Sequence, residues 1–451
     1  MSSIKKLAIR GTIWTIASYG TSQVLRLGSN LILARLLAPD LFGLMALVYV
    51  FITGLHLFSD VGIGTSIIQN KRGDDPDFLN TAWTMQVIRG VILAIGCFLI
   101  AWPVAIFYDK PGQAVSLLWL IPIVGLNTIL EGFNSTALYS LSRQMAIAKL
   151  AIFELGVQVI AIVLMVVWAL FSHDIWALVV GNFVSVVFKL VWSHLLVKES
   201  PNRFAWEPAA VKSIFSFGKW IFISTALTFL SEQADRLILA RLITFSDLGI
   251  YGIAFTLADI PRQVLLAISG KVLFPAFSRL ADLPRAEFRA KILQNRKPLL
   301  VLAAFGLTLL TSFGDQLILF LYDDRYKQGA WMLPLLAIGF WPRILTQTID
   351  QALFAIGKPR YVAYGSFFKF LFMFIGLPIG FHLLGLPGAI IVVALNDLPF
   401  YGAIAYGLGR EGLDCVIQDI QATVVFILLL TMVLTGRSLL GFGFPLETMP
   451  I

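Results

Sequence analysis

Charged residues are scarce in this chain of 451 residues. Asp, Glu, Lys and Arg make up only 13% of it, which is about half their share in a soluble domain. Hydrophobic residues make up 58%, and the mean hydropathy is +0.85. A chain of this size cannot hide so much apolar surface in its own core. A water-soluble fold is therefore excluded, and the apolar surplus must face lipid.

Cysteine and histidine are also rare. The two cysteines, Cys97 and Cys415, imply no disulfide framework, and the four histidines are scattered without the spacing of metal ligands. Neither the Walker phosphate-binding motif nor the HExxH motif occurs. We therefore expect neither an enzyme nor a resident cofactor or metal. The formal net charge of +8 fits basic cytosolic loops better than nucleic-acid binding.

Long hydrophobic runs fill most of the chain. At about 20 residues per crossing, the length accommodates about 12 to 14 transmembrane helices, so the predicted fold class is an all-α polytopic membrane protein. A first set of helices is predicted near 11–34, 40–68, 79–107, 114–135, 150–171 and 174–197. A second set is predicted near 213–240, 247–275, 298–321, 330–356, 361–384 and 386–408, with a last helix near 421–440.

The two sets share a sequence repeat. The segment LILARL occurs at Leu31–Leu36 and at Leu237–Leu242, and the same shift of 206 residues superposes Trp14 on Trp220. Six crossings is an even number, so two parallel six-helix bundles related by a pseudo-twofold axis are predicted, with a substrate path between them. The predicted divisions are an N-terminal bundle (1–200), a cytosolic linker (201–212), a C-terminal bundle (213–410), and one or two extra helices with a tail (411–451).

Basic residues are distributed unevenly between the predicted sides. With a cytosolic N-terminus, the cytosolic segments hold about three times as many Lys and Arg as the outer loops. Arg296 falls in a cytosolic segment and Arg437 in an outer loop. The most basic stretch, FSRLADLPRAEFRAKILQNRKP, is either an interfacial helix on the inner leaflet or a solvated loop.

Polar stripes run along the leading helix of each half, with residues spaced by one helical turn. The stripes comprise Ser18, Ser22, Arg26 and Ser29 in the first half and Ser224, Thr228, Glu232 and Asp235 in the second. An Arg at the bilayer centre costs about 2.5–3.5 kcal/mol, so Arg26 needs a partner or a watery cavity. We expect both stripes to line a lumen; the alternative is a structural ion pair of Arg26 with Glu232 or Asp235.

Prolines interrupt two predicted helices next to charged residues. One proline lies between Asp259 and Arg262, and another precedes Arg343, whose helix face continues with Gln347 and Asp350. A proline removes a backbone hydrogen bond and bends the helix, and broken helices in transporters open groups to a cavity. A local ion pair that neutralises itself is the alternative for Asp259 and Arg262.

Isolated charges occur in other predicted helices. Lys189 and Lys369 either face the lumen or extend to the membrane interface. The acidic candidates for a coupling H+ or Na+ site, or for counter-charges to the cations, are Glu131, Glu232, Asp235, Asp259, Asp350 and Asp397.

The opening GTIWTIASYGTSQVLRLGSNLILARLLAPDLFGLMALVYVFITGLHLFSDVGIGTSIIQ resembles the polysaccharide-transporter branch of the MOP flippase superfamily, most strongly over residues 7–110. The resemblance implies a V-shaped pair of six-helix bundles in the bacterial inner membrane. It also implies that polyprenyl-pyrophosphate-linked oligosaccharide moves from the cytosolic to the outer leaflet by alternating access. The resemblance also implies a cationic lumen, and the residues that match this expectation are Arg26, Lys189, Arg262, Arg343 and Lys369.

Two alternatives remain at this stage. The first keeps the fold and changes the cargo to a small drug or metabolite, as in the multidrug branch of the superfamily. The second is a non-transporting scaffold of a polysaccharide assembly complex. For the flippase, the expected partners are the lipid-linked oligosaccharide and membrane lipids, with a polysaccharide polymerase and assembly proteins as further candidates.

Overall fold

The structure is a computed structural model that describes residues 2–450 except 112, 114, 145, 197–201, 270–272, 274–276, 279 and 281. The side chains of residues 2–13, 15, 16, 215–224 and 267 also lie outside the description. Regular structure in the described ranges is helical, as predicted. The chain divides into two compact units, residues 1–226 and 227–451, which we call the first and second units. The predicted boundaries at residues 200 and 212 stay a prediction.

Ten helices begin within the described part of the first unit. They are α1 (Ser2–Leu36), α2 (Pro39–Phe58), α3 (Ile63–Gln69), α4 (Pro76–Tyr108), α5 (Leu117–Gly125), α6 (Asn127–Gly132), α7 (Ala137–Arg143), α8 (Ile147–Phe171), α9 (Trp176–Leu195) and α10 (Pro208–Leu242). The division between the units falls within α10.

Nine α-helices begin in the described part of the second unit. They are α11 (Phe245–Ala258), α12 (Ile260–Ile268), α13 (Arg285–Leu321), α14 (Gly329–Gly339), α15 (Trp341–Gln347), α16 (Asp350–Ala355), α17 (Arg360–Leu395), α18 (Asp397–Arg410) and α19 (Val416–Leu439).

The leading helices of the two units match closely. At the shift of 206 residues that the LILARL repeat defines, α1 superposes on α10 from end to end, and α2 and α11 begin at equivalent positions. Both halves then continue with long helices separated by short ones. The repeat is therefore visible in the order of the elements, whereas the pseudo-twofold arrangement of two bundles stays a prediction.

Several predicted helices are broken in the structure. The predicted helix 40–68 ends at Phe58 and resumes at Ile63, because Gly62 adopts a left-handed conformation (φ 68°) and donates its N–H to Asp60 Oδ1. The predicted helix 114–135 divides into α5 and α6, and 330–356 divides into α14, α15 and α16. Seven helices in the described ranges are long and apolar enough to cross a membrane, and eight if the bent pair Leu117–Gly132 and Ala137–Arg143 forms one span.

Helix α17 shows one predicted break and a second, unexpected one at its end. The sequence predicts separate helices before and after Gly385, and this glycine has a positive φ of 61° that kinks α17. The predicted helix 386–408 is broken again at Asn396, where α17 ends and α18 begins with Asp397. The break brings the carboxylate of Asp397 to the first turn of a helix, where a negative charge is favoured.

The basic stretch that begins at Phe277 is not a solvated loop, because it is helical from Arg285 and continuous with α13, and its predicted position on the inner leaflet stays a prediction. Residues 285–298 form the start of α13, and Phe288 and Ile292 are buried against Phe277 and Tyr361 in the apolar core of the second unit. Arg296, predicted to lie in a cytosolic segment, is fully buried. The apolar residues of this stretch are spaced by one turn, so they face the core while most of its basic residues face outward.

Candidate functional site

Charged side chains of the second unit, carried by five helices, meet in one group, which we call the ion-pair cluster: Glu232 on α10, Arg262 on α12, Arg343 on α15, Lys369 on α17 and Asp397 on α18. Lys369 Nζ lies 2.9 Å from Asp397 Oδ1 and 3.4 Å from Glu232 Oε1. Arg343 Nη2 also lies 3.4 Å from Glu232 Oε1. Glu232 therefore bridges two cations.

Arg262 is neutralised locally. Asp259 occupies the turn between α11 and α12, and its carboxylate accepts hydrogen bonds from Arg262 Nε and from Arg262 Nη2, the latter at 2.9 Å. Gln263 donates to the same carboxylate at 3.0 Å. The prolines at the starts of α12 and α15 are tolerated because the first turn of a helix needs no N–H donor there. The local pair of Asp259 and Arg262, which was the alternative at the sequence level, is thus present.

The ion-pair cluster is tightly packed. It surrounds a cavity of about 20 Å³, which has room for about one water molecule. The Arg343 guanidinium carbon lies 4.4 Å from the ring centre of Phe400, and the Tyr251 hydroxyl donates to Asp235 Oδ2 at 2.5 Å. Three cations of the predicted lumen therefore meet here, but each faces a carboxylate and little open space.

A second cavity lies wholly within the first unit, and we call it the first-unit cavity. Its volume is about 520 Å³. Two predicted residues line it, Glu131 on α6 and Lys189 on α9, together with His56, Arg89 and Glu154. His56 Nε2 lies 3.6 Å from Glu131 Oε2. Cations and carboxylates are thus spread around an open volume rather than packed against one another.

Backbone carbonyls hold two polar residues of this cavity in place. Arg89 Nη2 donates to His56 O at 2.7 Å, in the last turn of α2. Arg89 Nε donates to Ser59 Oγ at 3.0 Å, just after α2 ends. Gln86 Nε2 donates to the carbonyls of Glu131, Gly132 and Asn134 at 3.0–3.3 Å, where α6 ends. Helix ends expose such carbonyls, so the broken helices create the anchors that orient the lining.

The other predicted site residues lie outside these two groups. Ser22 Oγ donates to Gln158 Oε1 at 2.7 Å and so joins α1 to α8, while Arg26 is exposed and Ser18 is half-buried. In the second unit Thr228 is exposed, and the side chain of Ser224 lies outside the described residues.

Gln347 and Asp350 are both buried, at the end of α15 and the start of α16. Gln351 Nε2 donates to Asp350 Oδ1 at 3.2 Å. Neither residue lines the cavity of the ion-pair cluster. Their predicted role in lining a cavity therefore stays a prediction.

Two buried ion pairs were missed at the sequence level. Arg296 Nη2 lies 2.5 Å from Asp419 Oδ1, and Arg296 also donates to Thr348 Oγ1 and to Leu345 O. Arg437, predicted for an outer loop, is 2% exposed and forms a bidentate pair with Asp315. No local sequence pattern predicts either pair, because the partners are more than 100 residues apart and each Arg lies near a predicted loop.

The sequence is similar to transport and biosynthesis proteins of bacterial polysaccharides. It is 26% identical over 74% of its length to the succinoglycan biosynthesis transport protein ExoT of Rhizobium meliloti (strain 1021). It is 25% identical over 62% of its length to the lipopolysaccharide biosynthesis protein WzxC of Escherichia coli (strain K12). These alignments span 66% and 56% of the relatives, so the chain covers less than two thirds of their lengths.

Solved structures share the fold. An inward-facing multidrug resistance MATE family transporter of the MOP superfamily matches 86% of this chain and 94% of its own, with a TM-score of 0.69 and 14% identity. The lipid II flippase MurJ in an inward closed conformation matches 93% of this chain and 92% of its own, with a TM-score of 0.69 and 13% identity. The fold class is therefore confirmed as that of an all-α multi-pass membrane protein of the MATE and MurJ type.

The family assignment rests on a match to a family sequence model. The sequence model of the family described as "Polysaccharide biosynthesis protein" matches residues 32–330, more than half of the chain and parts of both units. This segment includes the LARLLAPDLFGLMAL and DVGIGTSII sequences that carry the resemblance noted above. The chain belongs to the polysaccharide biosynthesis protein family.

Proposed function

We propose that this protein is a flippase that moves polyprenyl-pyrophosphate-linked oligosaccharide repeat units from the cytosolic to the outer leaflet for surface polysaccharide assembly. The observation that carries the proposal is that both units hold charged side chains among apolar helices, as Lys189 and Arg89 do in the first unit and Lys369 does in the second. Placing a charged side chain inside a bilayer costs free energy. Binding of a polar cargo would explain why these charges are present.

The comparisons support both parts of the proposed cargo. The fold that the chain shares with the lipid II flippase over 93% of its length supports a cargo with a lipid anchor. The relatives named for succinoglycan and lipopolysaccharide, and the teichuronic acid biosynthesis protein TuaB of Bacillus subtilis (strain 168), support a glycan. The proposal includes a bacterial inner membrane location, a cytosolic N-terminus, alternating access, and delivery of the flipped unit to a polymerase and assembly proteins.

Transport is proposed to be coupled to H+ or Na+. Asp350 is the strongest candidate for the coupling group, because it is 9% exposed and makes no ion pair with any residue that the structure describes. Asp397 and Glu131, by contrast, face Lys369 and His56. Unchanged transport after both ion gradients have been dissipated would exclude the coupling, and unchanged coupling in Asp350→Asn would exclude this residue.

The flippase proposal is tested by the leaflet distribution of the lipid-linked glycan in cells depleted of the protein. We expect the glycan to accumulate on the cytosolic leaflet, as measured by lipid extraction and a leaflet-specific glycan probe. Wild type should restore the distribution and Arg26→Ala should not. Arg26 is exposed in the first unit, so the substitution breaks no buried contact there.

Arg203→Ala is the matched control, because Arg203 is also an exposed arginine but precedes α10 outside the helices. It should restore the distribution as wild type does. An unchanged distribution after depletion, in cells shown to lack a second flippase, would overturn the proposal. Restoration by Arg26→Ala together with Arg343→Ala would instead indicate a scaffold.

A second candidate function is export of a small drug or metabolite. The ion-pair cluster favours it to a degree that the sequence did not suggest, because carboxylates face each of its cations, namely Asp259, Glu232 and Asp397. The fold shared with a multidrug transporter is consistent with it. Efflux of a cationic dye that depends on this protein, with no change in glycan distribution, would favour the exporter.

A further inference from the structure

The two cavities differ in the size of the group that they can hold. The first-unit cavity has a volume of about 520 Å³, within the range of about 300–1,000 Å³ that is typical of small-molecule sites. The cavity of the ion-pair cluster, at about 20 Å³, holds little more than a water molecule. Of the two, the first-unit cavity alone has room for a bulky polar group.

The charges that line the first-unit cavity are balanced. Two carboxylates, Glu131 and Glu154, stand with two cations, Arg89 and Lys189. Arg89 already donates hydrogen bonds to His56 O and Ser59 Oγ. The Glu131 carboxylate lies next to the His56 ring. A strongly anionic group such as pyrophosphate would meet both carboxylates, so this lining suits a neutral group that both donates and accepts hydrogen bonds.

Amide side chains form a fixed part of the same lining. The three carbonyl acceptors of Gln86 Nε2 define the orientation of the Gln86 amide, since only its nitrogen can donate to them. Gln86 Oε1 and Asn134 Oδ1 are buried and have no hydrogen-bond partner in the described part of the chain. Both residues line the cavity. These two oxygens expose almost no surface, so they do not contact a ligand; the groups available to it are the charged and hydroxyl side chains of the lining.

Aromatic and hydroxyl side chains complete the lining. Tyr139 and Phe153 contribute rings, and Ser135 and Ser142 contribute hydroxyls. A pyranose ring has an apolar face of C–H groups and a rim of hydroxyls, and it therefore needs both kinds of surface. The lining combines aromatic surface, charged side chains of both signs and hydroxyls within a single unit.

We propose that the first-unit cavity is a sugar-binding subsite that takes one or two sugar residues of the transported glycan. The inference rests on the proposed function for the identity of the glycan. The carboxylates of Glu131 and Glu154 accept hydrogen bonds from sugar hydroxyls, and Lys189 donates hydrogen bonds to sugar oxygens. The pyrophosphate and the polyprenyl chain remain outside this cavity.

Thiol protection tests the subsite directly. Ser142 is exposed and lines the cavity, whereas Cys97 and Cys415 are buried, so Ser142→Cys provides a reporter on a low background. The purified full chain in lipid nanodiscs is alkylated with a maleimide. The added probes are the oligosaccharide released by mild acid from the lipid-linked fraction of depleted cells, and glycan-free polyprenyl phosphate. Thr21→Cys, exposed on α1 and outside the lining, is the matched control.

The released oligosaccharide should slow alkylation of the Ser142→Cys thiol several-fold and leave the Thr21→Cys thiol unaffected. Polyprenyl phosphate should slow neither. Adding Glu154→Gln should raise the oligosaccharide concentration needed for half protection about tenfold, the effect of losing one charge-assisted hydrogen bond. Glu154 is exposed, so this substitution does not disturb the core.

Two results would overturn the subsite: no protection at any oligosaccharide concentration, or equal protection by polyprenyl phosphate. The leaflet assay separates this inference from the proposed function. Normal flipping by wild type without glycan protection would reject the subsite and keep the flippase. Glycan protection in a protein whose depletion leaves the leaflets unchanged would keep the subsite and reject the flippase.

Discussion

The two units use similar residue types in opposite ways. The first unit spreads Arg89, Lys189, Glu131 and Glu154 around a cavity of about 520 Å³. The second unit packs its charged residues into ion pairs around a cavity of about 20 Å³, with Lys369 2.9 Å from Asp397. In the first arrangement the polar groups remain available to a ligand. In the second, the charged groups bind one another in ion pairs.

This difference shows that a charged residue in a membrane helix has more than one use. Removing one partner of a buried pair leaves an uncompensated charge and costs about 3–5 kcal/mol. Removing a charge that faces an open polar cavity leaves no such group behind. The stability of the second unit should therefore depend on its charges, whereas those of the first unit should matter for binding.

The largest effect is expected at Arg296. Arg296→Leu leaves Asp419 buried at 5% exposure without its cation and removes the donor to Leu345 O. We expect a loss of about 3–5 kcal/mol in the free energy of unfolding, measured as a lower Tm of the detergent-purified protein. Lys297→Leu, at the exposed neighbouring position, should leave Tm nearly unchanged. Equal effects of the two substitutions would contradict the importance of the pair.

The comparison is sharpened most by one substitution made in both units. Lys369→Met should cost about 3–5 kcal/mol, because Asp397 loses its cation and Glu232 keeps only Arg343. Lys189→Met should cost well under half of that, because Lys189 lines the first-unit cavity and forms no ion pair with a described residue. Adding Asp397→Asn to Lys369→Met should restore part of Tm. Similar Tm losses for the two lysine variants would break the comparison.

A moderate effect is expected where the first unit joins its helices through neutral groups. Ser22 Oγ and Ser22 O both bond to the Gln158 amide, at 2.7 and 3.0 Å, between α1 and α8. Ser22→Ala removes the side-chain bond and should cost about 0.5–1.5 kcal/mol. Loss of transport with unchanged Tm would show that Ser22 serves the predicted lumen instead.

The smallest effect is expected at the exposed ion pairs of the first unit. Arg72 Nη1 lies 2.7 Å from Glu207 Oε1, and Arg72 Nη2 lies 2.5 Å from Asp75 Oδ2. The hydrogen bonds from Arg72 hold the pKa of both carboxyls below their usual range. A lowered pKa stabilises the fold above the ordinary value of about 4, and the contribution is lost as the pH falls through the lowered pKa.

The Tm difference between wild type and Arg72→Gln should therefore be small and constant from about pH 8 to pH 5, and it should shrink only below about pH 4. A difference that changes between pH 7 and pH 5 would point to another titrating group. The contrast with Arg296 locates the strong charge effects inside the second unit.

Much of the fold follows from local patterns. The hydrophobic runs locate the long helices α4, α8 and α9 to within a few residues, and the LILARL repeat locates the equivalent ends of α1 and α10. Gly385 marks a break because a positive φ favours glycine. At Asn396 the polar pair Asn396–Asp397, followed by Pro399, interrupts an apolar run, but the same residues also fit a polar face within one continuous helix, so the sequence did not predict the break.

The site was predicted in part. A charge within an apolar run is conspicuous, so Arg262, Arg343 and Lys369 could be singled out from the sequence. Their carboxylate partners could be named as well, but their pairing could not, because Glu232 and Lys369 are 137 residues apart. Gln86 was missed, since an amide near a helix end has no distinctive pattern.

The sequence by itself determined that this chain lies in a membrane, that it is helical, and that charges occur within its helices, because composition and periodicity are local properties that the solvent selects. Only the tertiary structure decided which charges neutralise one another and which remain around an open cavity. That decision depends on distances between helices far apart in the chain, and a difference of a few ångströms separates an ion pair from a binding site.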